Sequence, residues 1–296
     1  MNRLFALAAA LTLLVACEPS KPTAKAEKTI GVSLLTRQHD FYKDLEAGLV
    51  EEAAKNGFKL NIQAGEFDAS KQANQIENFI VQKVDAIIVC PCDSAAIGNV
   101  LDKAEKAGIP VFTADISAQK GKVVCHVASD NVQGGRLAAK EMSKYVKDGD
   151  KVFIIDHPVV ASVQDRTKGF IEELKKIYPN IQITSQPGEG KRDKAMQVME
   201  SVISKDYKGV FGINDDSALG ALSAIKAAGK TDVAIIGYDA TPEARKAITG
   251  GTCLKADVIQ KPTLIGTTTI QMIAKFFKGE TVPAIVPVEV GIFDGK

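Results

Sequence analysis

From residue 30 onward the chain alternates short apolar runs with longer stretches whose apolar residues recur every three or four positions. The runs "IGVSLL", "FKLNIQ", "DAIIVC" and "IPVFT" come first, and "KVVCHVA", "KVFIID", "IQITSQ", "KGVFGI" and "VAIIGYD" follow. Runs with little polar alternation suit strands covered on both faces, as in parallel sheets flanked by helices, so the fold class is α/β. Between the strands, Ile97, Val100, Leu101 and Ala104 fall at i, i+3, i+4 and i+7 and form one apolar helical stripe. The spacing predicts a helix starting near Asp93, with Asp93 and Ser94 as candidate caps. Three helices end in "AAKNG", "AEKAG" and "IKAAG", which puts Gly57, Gly108 and Gly229 where a left-handed cap is wanted.

There are more alternations than one compact doubly wound domain accommodates comfortably, and the pattern restarts after "KVVCHVASDN". Two similar lobes are the economical expectation. No Ser/Gly-rich linker separates them, so the crossings should be short and ordered, as a hinge requires.

The first residues set the compartment. Arg3 precedes "LFALAAALTLLVA", an apolar run too short to span a bilayer, which reads as the core of a signal peptide over 1–16. It ends in "LVAC", which resembles the bacterial lipobox; this implies cleavage before Cys17 and lipid attachment to it. Residues 17–28, with "EPSKPTAKAEK", lack hydrophobic periodicity and are expected to be a flexible tether. Lysine plus arginine (37) nearly balance aspartate plus glutamate (36), so there is no basic field for nucleic acid.

Dinucleotide chemistry is disfavoured, because no glycine-rich turn follows the first strand in "GVSLLTRQHDFY" and "QGGRLAA" has the wrong spacing. Only three histidines occur and no serine has nucleophile-elbow spacing, which argues against an acyl-transfer triad. Cys90-Pro-Cys92, with Cys125-His126, offers soft ligands or a redox pair, but no second Cys-x-x-Cys or paired histidines reinforce it. Unpaired thiols at strand ends are the favoured reading, with metal, redox and long-range disulfide alternatives open. No metal or cofactor is expected.

Polar or aromatic groups gather where strands end: Cys90, Asp115, Asn214 with Asp215, and Tyr238 with Asp239. In open α/β sheets that C-terminal edge is where ligands bind. Helix capping alone would account for Asn214, Asp215 or Ser217, but recurrence at several strand ends favours a cleft.

The segments "TIGVSLLTRQHDFYKDLEAGLVEEAAKNGFKL", "DAIIVCPCDSAAIGNVLDKAEKAGIPVFTAD", "VASDNVQGGRLAA", "NDDSALGALSAIKAAGK" and "IGYDATPEARKAI" span nearly everything after the tether. In their order the chain resembles the ribose- and galactose-type periplasmic binding proteins of bacterial ABC transporters, the ribose branch above all. The resemblance implies two Rossmann-like lobes joined by a three-crossing hinge, 29–127 with 261–288 and 128–260 with 289–296. It also implies a monomer holding a sugar between the lobes. Phe41 and Tyr42 match the family's aromatic pair, Asp115 its hydroxyl-accepting aspartate, Arg166 its arginine, and Asn214, Asp239 and Gln260 further polar contacts; Tyr238 adjoins them.

The departures are Ile116 for an arginine, Cys90 and His39 for asparagines, and Gly190 for an aromatic. They remove polar partners that a fully hydroxylated pyranose would require. The ligand is then another pentose or hexose, a polyol or a less polar furanosyl molecule. The expected protein is a lipid-anchored, extracytoplasmic solute-binding protein, not an enzyme, that delivers its ligand to an ABC permease. A partner of sensor-kinase or chemoreceptor type is the second reading, and an exported thiol- or metal-dependent enzyme the third.

Overall fold

The computed structural model describes residues 27–296. The expected signal peptide, Cys17 and nearly all of the tether lie outside the described residues. Lys28, placed at the tether's end by the sequence, instead opens the first strand, where its Nζ donates to Asp85 Oδ1 at 2.8 Å.

Elements alternate along the chain as β1 Lys28–Leu34, α1 Asp40–Asn56, β2 Phe58–Ala64, α2 Ala69–Val81, β3 Ala86–Val89, α3 Gly98–Lys106, β4 Val111–Ala114 and β5 Cys125–Ser129. The series resumes with α4 Asn131–Met142, β6 Lys151–Asp156, α5 Ala161–Ile177, β7 Gln182–Pro187, α6 Arg192–Val202, β8 Tyr207–Gly212, α7 Asp215–Ala227 and β9 Ala234–Asp239. It closes with α8 Pro242–Thr249, β10 Leu254–Ile259, α9 Pro262–Phe277, β11 Ile285–Val288 and β12 Gly291–Phe293.

Two six-stranded sheets result, ordered β11-β5-β4-β3-β1-β2 and β12-β10-β9-β8-β6-β7. The chain passes from the first sheet to the second after β5, returns after β10, and crosses again between β11 and β12. Every ladder is parallel except β10 with β12. This is the architecture of two α/β lobes with parallel sheets. β3 and β4 are buried at every residue, as their continuous apolar runs require of strands covered on both faces.

Helix-to-helix packing holds each lobe's cover. The Cβ of an alanine at Gly48 in α1 would lie 2.3 Å from the Thr263 carbonyl oxygen in α9, so only glycine lets these helices close over the first sheet. In the second lobe Phe170 of α5 stacks on Phe211 of β8 with centroids 4.4 Å apart and planes 8° from parallel. Each such buried ring contributes about 1.5–3 kcal/mol of transfer free energy.

Gly57, Gly108 and Gly229 follow their helices with φ of 66°, 75° and 67°, the left-handed conformation expected of them. The stripe Ile97, Val100, Leu101 and Ala104 is buried. Its helix starts later than expected, at Gly98. Asp93 Oδ1 accepts from the Ala95 and Ala96 amides and caps a turn that leads into the helix. Ser94 caps a helix of the other lobe: its Oγ accepts from the amide of Ala161, first residue of α5. Among the described residues no helix is long and apolar enough to cross a membrane.

Candidate functional site

The C-terminal ends of both sheets face one cavity between the lobes, about 40 Å³ in volume. Asp115 reaches it directly after β4, in a left-handed backbone (φ 64°) that an aspartate tolerates better than most side chains. Its carboxyl is buried. Tyr42 Oη in α1 donates to Asp115 Oδ2 at 2.6 Å, while Oδ1 is sealed from solvent with no partner among the described residues. Burial pushes the Asp115 carboxyl above its ordinary range, partly offset by Arg166 and by the Tyr42 hydrogen bond.

Asp239 ends β9 on the opposite lobe, again with positive φ (125°), followed by Ala240 at 59°. Asp239 Oδ1 accepts from Gln260 Nε2 at 2.7 Å, and Gln260 Oε1 is buried without a partner among the described residues. Burial and the neighbouring Asp215 push the Asp239 carboxyl well up, and Arg166 opposes them.

Arg166 therefore balances two carboxyl groups supplied by different lobes. It projects from α5, buried, with Nε donating to Asn131 Oδ1 at 2.8 Å and Nη1 to the Ile213 carbonyl at 2.9 Å. Its guanidinium carbon sits 3.9 Å from the centroid of the Tyr238 ring, a cation–π stack. No hydrogen bond from Nη2 is found among the described residues, so that group has a donor to offer. Tyr238 itself lies behind the arginine with its hydroxyl donating to Asn131 Oδ1 at 3.3 Å. Gly134 of α4 makes room for it, since a Cβ there would fall 2.1 Å from Tyr238 Oη.

Asn214 lines the cavity but is largely engaged: Oδ1 accepts from the Ser217 amide at the start of α7, and Nδ2 donates to the Gly190 carbonyl at 3.0 Å. His39, at the N-cap of α1 without capping it, lies 3.5 Å by Nε2 from Asp216 Oδ2 on the other lobe. The lobes meet elsewhere too. The Ser94 amide donates to the Val159 carbonyl at 3.0 Å, and Gln119 Nε2 to Gln164 Oε1 at 3.0 Å.

Of the residues singled out in the sequence, the structure brings His39, Phe41, Tyr42, Asp115, Arg166, Asn214, Asp239 and Gln260 to the cavity wall. Cys90 and Tyr238 do not line it. Strand geometry explains both: Cys90 is packed inside the first lobe behind Tyr42 and Asp115, and Tyr238 points away from Asp239 into the α4 contact.

Sequence reasoning missed Phe67 and His157, which pack together with ring centroids 6.4 Å apart. A Cβ on Gly190 would come within 3.3 Å of His157 Nδ1 and 3.9 Å of Phe67. These rings thus take up space beside Gly190, where the resemblance leads one to expect an aromatic. The strand-end rule, applied to "KVFIIDHP", would have found His157; Phe67, at a left-handed φ of 64° after β2, carries no comparable signal. Burial holds His157 down to about 4 and lowers His39, so both imidazoles are neutral near pH 7 and each offers a donor and an acceptor.

All four cysteines of the described residues are free thiols, and no group of three or more His, Cys, Asp or Glu side chains is arranged for a metal ion among them. Burial pushes Cys92 up to about 12 and Cys90 well up, the direction opposite to a reactive thiolate. Alkylation of Cys90 is expected to wait for unfolding with or without ligand, whereas half-buried Cys253 reacts in the native protein. Mass spectrometry of partly labelled protein checks this; rapid native labelling of Cys90 would contradict its packing.

Residues 30–281 match the family model for the periplasmic binding protein domain. The chain is 34% identical over 292 residues to the ribose import binding protein of Escherichia coli (strain K12), covering 98% of this chain and 97% of that protein. It is 38% identical over 273 residues to the ribose import binding protein of Bacillus subtilis (strain 168), 88% of each. Among solved structures, a periplasmic solute-binding protein of an ABC transporter from Actinobacillus succinogenes 130z, with bound D-allose, superposes with a TM-score of 0.82. The two are 28% identical, and the match covers 91% of this chain and 98% of that one.

Proposed function

The chain belongs to the periplasmic binding protein family, and on that premise we propose that it captures a small sugar or polyol between its lobes and hands it to an ABC permease. One observation carries this reading: Asp115 from one lobe and Asp239 with Gln260 from the other converge on a single buried cavity, with Arg166 between them. Asp115 Oδ1 and Gln260 Oε1 are acceptors without donors, and Arg166 Nη2 is a donor without an acceptor among the described residues. Adjacent hydroxyls of one small molecule satisfy all three, and buried polar groups are rarely left unpaired.

Other parts of the wall are apolar, with Leu35, Phe41, Ile116, Val160, Val163 and Ile213. A ligand hydroxylated along one edge and apolar along the other fits this division: a pentose, a furanosyl sugar or a deoxy sugar ahead of a fully hydroxylated hexopyranose. Contacts to both lobes favour the approached arrangement, which is what a permease can read. Binding and release make up the whole cycle, and no bond of the ligand is made or broken.

A thermal-shift screen over pentoses, hexoses, deoxy and furanosyl sugars and polyols tests the reading. Ligand at 100 times its dissociation constant should add about 2.7 kcal/mol of stability. A screen without any shift, repeated calorimetrically without heat, would reject it.

The lipid on Cys17 is part of the same proposal. Cys17→Ser is expected to move the protein from the membrane fraction to the soluble extracytoplasmic fraction, because the attached acyl chains supply the anchoring. Mass spectrometry that finds Cys17 unmodified in membrane-fraction protein would remove the anchor from the reading.

A further inference from the structure

Behind Asp239 the second lobe buries two more carboxyl groups against each other. Asp215, the first residue of α7, and Asp257, in the middle of β10, are 3% and 0% exposed. Asp215 Oδ2 accepts from the Thr241 amide at 2.7 Å, but Asp215 Oδ1 and both oxygens of Asp257 have no donor in hydrogen-bond geometry among the described residues, although the Ala240 amide faces the Asp257 carboxyl. Asp257 stands opposite Gly237 in the β10–β9 ladder. Its carboxyl fills the place of a side chain there: a Cβ on Gly237 would lie 2.8 Å from Asp257 Oδ2 and 3.2 Å from Ala218 Cβ in the first turn of α7.

The charged groups around the pair do not neutralise it. Asp216 and Asp239 add negative charge, Arg166 lies at the cavity bonded to Asn131 and the Ile213 carbonyl, Arg245 donates to the Ala240 carbonyl, and Arg192 is held by Asp216 and Glu243 at the surface. Two ionised carboxylates in so dry a place would repel each other strongly, whereas one shared proton turns the same contact into a strong charge-assisted hydrogen bond. Burial, with Asp215 beside it, pushes the Asp257 carboxyl well above the ordinary range. The N-terminus of α7 then favours the single negative charge left on Asp215.

The consequence reaches the site through the backbone. Asp215 holds the turn after β9 from two sides, by its carboxylate on the Thr241 amide and by its own amide, which donates to Asp239 Oδ2 at 3.4 Å. That turn contains the left-handed pair Asp239 and Ala240, a conformation that persists only when its surroundings enforce it.

We propose that Asp257 is a positioning residue: as a neutral acid it donates its proton to Asp215 Oδ1, and the Asp215 carboxylate so fixed holds the strained Asp239–Ala240 turn in place. The last link, from this turn to ligand affinity, rests on the sugar-binding reading; the proton and the turn do not.

Both are measured on the ligand-free, full-length protein. At neutral pH the infrared spectrum should contain a carbonyl stretch of a buried protonated carboxyl that the wild-type minus Asp257→Asn difference spectrum assigns to Asp257. Amide hydrogen exchange at Thr241 should be unchanged in Asp257→Asn, whose amide can donate as the acid does. In Asp257→Ala it should be on the order of tenfold faster, as expected for the weakening of one buried hydrogen bond.

The pH profile has a definite sign. A carboxyl whose folded pKa is raised contributes stability that is fully present below its unfolded pKa and is lost as pH rises through the folded one. The melting temperature of the wild type should therefore fall more steeply with rising pH than that of Asp257→Asn, in which the raised carboxyls of Asp115 and Asp239 remain. No protonated-carboxyl band in that difference spectrum at neutral pH, or a wild-type and an Asp257→Asn profile of the same shape, would overturn the proposal, and neither depends on Asp257→Ala folding. If the sugar screen alone fails while the band and the Thr241 protection behave as stated, it is the functional reading that falls.

Discussion

Arg166→Met is expected to reduce ligand capture by about 10- to 150-fold, since a buried hydrogen bond from a charged group is worth about 1.5–3 kcal/mol. The methionine keeps much of the aliphatic stem but leaves the Ile213 carbonyl without the arginine donor and Asn131 Oδ1 with the Tyr238 hydroxyl alone. It also removes the cation that opposes the upward shift of both Asp115 and Asp239. Those carboxyls then take up protons more readily and become poorer acceptors for hydroxyl groups. Arg166→Lys should recover little, because one ammonium on a flexible stem cannot reproduce two directed bonds and a planar stack on Tyr238. Calorimetric titration with the sugar identified by thermal shift, beside circular dichroism to verify folding, measures the effect. A folded Arg166→Met protein with wild-type affinity would remove the arginine from the site.

Asp239→Ala should separate affinity from stability. Loss of one buried acceptor leaves ligand hydroxyls and Gln260 Nε2 unpaired, a cost of about 1–3 kcal/mol, or about 5- to 150-fold in affinity. The ligand-free protein gains in one respect, because a carboxyl shifted well up by burial and by Asp215 is gone. Affinity should fall while the unfolding midpoint holds or rises. Asp115→Ala should differ, since the buried Tyr42 hydroxyl loses its acceptor and the melting temperature falls along with the affinity. Equal binding by Asp239→Ala and wild type would show that the residues carried over by resemblance are not the ligand contacts.

What the chain determined by itself is whatever local chemistry controls. Apolar runs announced β1, β3 to β6, β8 and β9, because a strand buried on both faces can carry few polar side chains, while β2 and β7, at the sheet edges, showed as shorter runs mixed with polar residues. Glycines 57, 108 and 229 announced helix ends because φ near +70° is cheap only without a Cβ. Carboxyl and amide groups at strand ends marked the edge where a cleft forms. β10, β11 and β12 were not legible: Lys255 and Asp257 interrupt the first, Pro287 the second, and the third has only three residues.

Tertiary structure decided what depends on neighbours from distant segments. Asp257 resembles a solvent-facing strand residue until Asp215, 42 positions earlier in the numbering of "NDDSALG" and "LKADVI", is packed against it. Ser94, a candidate cap for its own helix, caps α5 of the other lobe. Cys90 and Tyr238 sit beside site residues in the sequence or at the same sheet edge, yet packing turns them inward, while Phe67 and His157 reach the wall from loops with weak or no signal. The physical reason is that backbone period and propensity act within a few residues, whereas burial, hydrogen-bond satisfaction and the sharing of charge are settled only by the groups that folding brings into contact.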